Sequence, residues 1–129
     1  MPRPPRYGKC RLRHNVPMTD IVLATLNARY AHASLGLRYL RANLGNLRER
    51  SCIREFVIGQ KSEEIVEQIL AERPRIVGLG VYIWNVVPST EVVRRLKQAR
   101  PALKIVLGGP EVSYEWADQE IVRLADHLI

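Results

Sequence analysis

Residues 76–109 read IVGLGVYIWNVVPSTEVVRRLKQARPALKIVLGG. The stretch opens on residues 76–81, which are apolar throughout and follow Pro74. A short continuous apolar run predicts a central strand, covered on both faces. Val92, Val93, Leu96 and Ala99 then recur at helical spacing. A helix therefore starts between Val87 and Thr90, and Pro101 ends it. Residues 105–107 form a second apolar run, closed by Gly108-Gly109-Pro110. Strand, helix and strand with short links make one βαβ unit, which places both strands parallel in one sheet.

The same alternation extends in both directions. Residues 21–25 are a β-branched apolar run and predict the first strand. Leu37, Leu40, Leu44 and Leu47 are spaced by threes and fours, so a helix is expected over 34–47, with Gly45 in its last turn. Residues 53–58 predict a second strand, and Arg54 and Glu55 mark it as an edge exposed on one side. Ser62 is placed to cap a helix over 63–72, with Glu63 and Glu64 against its dipole. Beyond the quoted stretch, Trp116, Ile121 and Leu124 predict a helix over about 115–125. His127, Leu128 and Ile129 then begin a fifth strand. The reading is an α/β, flavodoxin-like (Rossmann-like) doubly wound parallel sheet. Its expected strand order is 2-1-3-4, with the fifth strand cut as it begins and strand 4 left as an open edge.

Composition limits the function classes. The chain has 129 residues, of which 47% are hydrophobic and 26% charged, enough for one domain with a real core. No apolar run approaches the ~20 residues of a membrane span. The net charge is +7, but Arg3, Arg6, Lys9, Arg11 and Arg13 fall in residues 1–18, where there is no acid. That Pro- and Arg-rich segment is expected to be a disordered basic leader. An upstream extension without function and a polyanion-binding tail both remain open for it. Residues 19–129 are the expected domain, and their charge is nearly balanced, which argues against nucleic acid as a partner. Cys10 and Cys52 are too few for a disulfide framework or an iron–sulfur site. Without a secretory segment, the expected compartment is the cytoplasm, with both thiols reduced.

Ligands of such sheets lie beyond the carboxyl ends of the strands. Several are excluded by the loops found there. Strand 1 is followed by ATLNARYAHASLG, which has no G-x-G-x-x-G, no P-loop and no Ser/Thr/Gly phosphate cradle. Asp20 stands at the wrong end of strand 1 for a phospho-receiver, and no serine has a neighbouring histidine. No catalytic residue and no protein metal ligand is assigned. What remains is a long polar and aromatic loop after strand 1, two large aromatics, Tyr82 and Trp84, after strand 3, and paired glycines after strand 4. Paired glycines let a ligand approach the backbone closely, although they also suit a plain tight turn. Trp84 suits either a cap on the sheet end or a pocket wall. Arg38, Arg41 and Arg48 fall near one helix face and are expected to be solvated.

Three segments carry a resemblance. NARYAHASLGLRYL at strand 1 and helix 1, GLGVYIWN at strand 3 and LGGPEVSYE at strand 4 resemble the amino-terminal cobalamin (vitamin B12)-binding domain of radical SAM proteins. The resemblance covers about residues 20–129. It implies a cobalamin pocket with Thr25, Asn27, Tyr30 and His32 from the first loop and Gly80, Tyr82, Trp84 and Asn85 from the second. Gly108, Gly109, Pro110 and Glu111 would complete it. Cobalamin domains of the mutase type carry D-x-H-x-x-G, whose histidine ligates cobalt; here His32 precedes Gly36 by four and Tyr30 stands at the Asp position. His32 is a poor match to that ligand. The C-x-x-x-C-x-x-C of the radical SAM half is also missing, so no iron–sulfur cluster is expected in this chain. The resemblance implies a module that positions a corrinoid for a radical SAM partner domain of methyltransferase type. The alternative is a non-catalytic flavodoxin-like scaffold with no cofactor.

Overall fold

A computed structural model describes residues 19–28, 34–82, 84–109 and 119–128. Their strands are β1 (Ile21–Asn27), β2 (Ser51–Val57), β3 (Ile76–Gly80), β4 (Lys104–Gly108) and β5 (His127–Leu128). The helices between them are α1 (Leu35–Ala42), α2 (Ser62–Ala71), α3 (Val86–Ala99) and α4 (Glu120–Leu124). All strand pairs are parallel and the order is β2-β1-β3-β4-β5. This is the expected flavodoxin-like architecture, extended by a β5 that pairs with Val106 and Leu107. β4 is therefore covered on that side at those two residues, where an open edge was expected.

Side chains alternate across each strand, and this splits the core in two. Val22, Ala24 and Leu26 of β1, Val77 and Leu79 of β3, and Ile105 and Leu107 of β4 point to one face. There they pack against Ile65 and Ile69 of α2, Val92, Val93 and Leu96 of α3, and Ile121 of α4. The opposite face is thinner. Ile21 and Leu23 meet Leu37 of α1, with Leu44 and Ile53 at the margin. β3 is central, as expected, but its two faces differ: Val77 and Leu79 are buried, whereas Ile76 is 36% exposed.

Two local expectations change. The helix predicted over 34–47 stops at Ala42, because Gly45 takes a left-handed backbone (φ +60°) and turns the chain into a 3-10 segment, Gly45–Arg50. Leu47 then lies in that segment, nearly half exposed. Ser62 is the first helical residue of α2, not its cap; Lys61 holds the cap position without a side-chain bond. Pro88 sits in the first turn of α3, where its missing N–H is not needed. Of the helix expected over 115–125, only the α4 part falls among the described residues.

Cys52 corrects the expectation of two reduced thiols: it is disulfide-bonded, and Cys10 lies outside the described residues. Among the described residues no helix is long and apolar enough to cross a membrane.

Candidate functional site

The carboxyl ends of the strands are set by register. Glu55 pairs with Thr25, Thr25 with Gly80, and Gly80 with Gly108, so four residues form one row across β2, β1, β3 and β4. Alternation places the row on the α1 face, away from the large aliphatic core. Its β3 and β4 members have no side chain. A Cβ on Gly108 would meet nothing within 4 Å, and one on Gly80 would touch Thr25 Oγ1 and the Tyr82 ring at 3.5 Å. The backbone is open for close approach at Gly108, while Thr25 and the Tyr82 ring lie against Gly80.

Gly109 is held there by conformation. Its φ is +111°, and a Cβ would stand 2.3 Å from the Val81 carbonyl oxygen. Only glycine fits, so the paired glycines have distinct roles: Gly109 makes the turn and Gly108 leaves the space.

Asn85 organises the β3 end. It is fully buried, and its Nδ2 donates to the Leu26 carbonyl at 3.0 Å and the Gly80 carbonyl at 3.3 Å. Its Oδ1 accepts from the Tyr82 N–H at 2.8 Å. One side chain thus ties the end of β1, the end of β3 and the following turn together. Thr25, 1% exposed, adds a hydrogen bond from Oγ1 to the Gly80 carbonyl at 3.1 Å. With its polar atoms satisfied in this way, Asn85 shapes the edge from within.

The aromatics stand on this platform. The Tyr82 and Trp84 rings stack with centroids 4.6 Å apart and planes 3° from parallel. Tyr82 lies on the glycine side: its hydroxyl is 3.9 Å from where a Cβ of Gly36, in the first turn of α1, would be. Trp84 is half exposed and faces a groove of about 620 Å³ shared with Ile58, Val87, Pro88 and Arg94. The pair divides the mouth, with bare backbone on one side and an apolar groove on the other.

The structure thus brings Thr25, Gly80, Tyr82, Trp84, Asn85, Gly108 and Gly109 to one edge. Asn27 is turned toward β2, where its Nδ2 donates to Glu55 Oε1 at 3.0 Å. Tyr30, His32, Pro110 and Glu111 lie outside the described residues. Among the described residues no group of three or more His, Cys, Asp or Glu side chains could hold a metal ion.

β2 is the edge strand that the sequence predicts, but Glu55 is not exposed on it. Its side chain is only 3% exposed and carries three hydrogen bonds. Arg38 and Arg41, expected to be solvated, also serve packing. Arg38 reaches Glu55 Oε2 at 2.9 Å, and Arg41 donates to Ser51 Oγ at 3.1 Å. The sequence signals only charge at these positions; the partners come from register and from the end of α1.

Against this geometry, the model of the family described as B12 binding domain matches residues 21–128. The chain belongs to the B12-binding domain family. Cobalamin is therefore its cofactor, and the residues fit that group: the strand ends offer open backbone at Gly108 beside the flat stacked rings of Tyr82 and Trp84. The chain is also similar to a solved structure, a novel cobalamin-binding protein from Desulfitobacterium hafniense DCB-2, with 27% identity and a TM-score of 0.62. That match covers 86% of this chain and 52% of the other, so the B12-binding chain spans about half the length of its solved relative. No curated protein matches it.

Proposed function

We propose that this B12-binding domain holds a corrinoid at the carboxyl edge of its sheet and positions it for a radical SAM partner domain of methyltransferase type. The observation that carries the reading is the side-chain-free edge at Gly80 and Gly108, flanked by Thr25 and the stacked Tyr82 and Trp84. The cobalamin bound by the similar Desulfitobacterium hafniense protein supports the ligand. The radical SAM partner rests on the resemblance of the three loop segments to that class.

Cobalamin, when bound, would supply the group-transfer chemistry of its cobalt. The chain's own residues bind and orient. Gly108 offers open backbone to a close-packed ligand, Asn85 and Thr25 tie the ends of β1 and β3 together, and Tyr82 with Trp84 supply flat apolar surface. The first-loop candidates Asn27, Tyr30 and His32 and the fourth-strand candidates Pro110 and Glu111 would complete the wall. The cofactor-free scaffold has no support from membership in a cobalamin-binding family.

The test is direct. Purified chain is mixed with hydroxocobalamin, passed over a gel-filtration column, and its visible spectrum recorded. Stoichiometric co-elution with shifted α and β bands is expected. A monodisperse, folded sample that retains no corrinoid would refute the binding reading. The partner is tested separately, by asking whether the corrinoid-loaded chain co-purifies with a radical SAM catalytic domain.

A further inference from the structure

Glu55 lies on β2, outside every loop that the corrinoid reading uses. Yet its carboxylate is nearly buried and its three bonds converge on one stretch of chain. Oε1 accepts from Asn27 Nδ2 at 3.0 Å and from the Ser34 N–H at 2.6 Å. Asn27 is the last residue of β1 and Ser34 is the N-cap of α1. A single oxygen atom therefore holds both ends of the first loop, residues 28–33. Oε2 accepts from Arg38 at 2.9 Å, and the same guanidinium donates to the Ser34 carbonyl at 2.9 Å. Ser34 is thus bonded at both its N–H and its carbonyl, while its Oγ accepts from the Leu37 N–H.

Burial of a carboxylate is costly unless it is paired and hydrogen-bonded. Here the charge is matched by Arg38, and both oxygens are occupied. The bonds reach 28 and 21 residues along the chain, so local folding of β1 or α1 does not form them. We propose that Glu55 is a positioning residue for the cofactor: it ties the end of β1 to the start of α1 and so sets the frame of the carboxyl edge where the corrinoid sits. The inference rests on the corrinoid reading of the carboxyl edge and adds a residue that touches no ligand. Fixing Asn27 and Ser34 relative to each other before binding removes an ordering cost from the binding step, so the clamp acts on affinity.

The experiment compares Glu55→Gln with Arg41→Gln in the full chain. Gln at 55 keeps the size but loses the anionic acceptor shared by Asn27 and Ser34. Arg41 ties α1 to Ser51 and Arg48, away from the loop, and is the control for stability alone. For each variant the urea midpoint, the hydroxocobalamin Kd and hydrogen exchange at the Ser34 amide are measured. The expected result is a Kd weakened about tenfold in Glu55→Gln, with faster exchange at Ser34 and protected β1 amides. Arg41→Gln should lower the urea midpoint and keep the wild-type Kd. Glu55→Asp, which keeps the charge but retracts it, should fall between.

Wild-type Kd in folded Glu55→Gln and Glu55→Asp would overturn the proposal. Failure of both variants to fold would also overturn it, since Glu55 would then belong to the fold alone. Loss of corrinoid binding by the unsubstituted chain would instead strike the corrinoid reading, and is seen without any substitution.

Discussion

The two faces of the sheet are built differently. The face under α2, α3 and α4 is a continuous aliphatic core in which Leu26, Ile65, Ile69, Leu96, Ile105 and Leu107 are fully buried. Among the described residues, the α1 face has Ile21, Leu23 and Leu37 as its buried apolar centre, and toward the carboxyl end it changes to Glu55, Thr25, Gly80 and Gly108. One face is packed for stability. The other uses polar anchors and missing side chains to shape an opening. Stability and binding are therefore separable by substitution, and each variant below tests that separation.

The largest effect is expected on the packed face. Ile105→Ala removes a fully buried side chain and should cost about 2–5 kcal/mol in urea denaturation. Corrinoid affinity per folded molecule should stay at the wild-type value; a parallel loss of affinity would show that the two faces are coupled.

Asn85→Ala acts at the boundary between them. It leaves the Tyr82 N–H and the Leu26 and Gly80 carbonyls without this partner, for about 1–3 kcal/mol. Since Tyr82 and Trp84 stand on the same turn, both the urea midpoint and the hydroxocobalamin Kd should worsen.

A smaller effect is expected at Asp126, which joins β4 to β5. Burial acts to raise its carboxyl, but the Ile105 N–H, the Lys97 ammonium and nearby Lys104 outweigh it and hold the group below the usual carboxylate range. A depressed folded pKa contributes stability above the unfolded value, near 4, that is lost as pH falls through the folded one. The urea midpoints of wild type and Asp126→Asn should differ at pH 7 and converge in acid. A gap that persists at the lowest pH would contradict the sign.

The smallest change in stability belongs to the row itself. Gly108→Ala places a methyl in open space and should alter stability by less than about 0.5 kcal/mol. If the space is where the ligand approaches, the same methyl should weaken hydroxocobalamin binding by about tenfold. An unchanged Kd would move the ligand away from β4.

The packed face was legible in the sequence because periodicity reports burial. The runs at 21–25, 76–81 and 105–107 and the helical spacing of Val92, Val93 and Leu96 all read correctly, and strand order followed from alternation. The thin face was harder. The leucine spacing runs on through Leu44 and Leu47, so the end of α1 was hidden; only the left-handed backbone at Gly45 reveals it. Glu55 reads as a solvated edge charge, because a single sequence does not display which side chains register will place around it. The glycines and aromatics of the edge were found through their loop positions and family resemblance. The division of labour between Gly108 and Gly109 required backbone angles.

The shared oxygen of Glu55 has an evolutionary consequence. Both ends of residues 28–33 are tied to one atom of a strand the loop does not belong to. The intervening residues are thereby bracketed like a cassette. Their identity can drift without re-registering β1 or re-aiming α1, and a change in their number adds a closure cost that grows only with the logarithm of length. One carboxylate thereby separates two demands on the chain: the linker is free to vary, while the end of β1 and the entry of α1 keep their places.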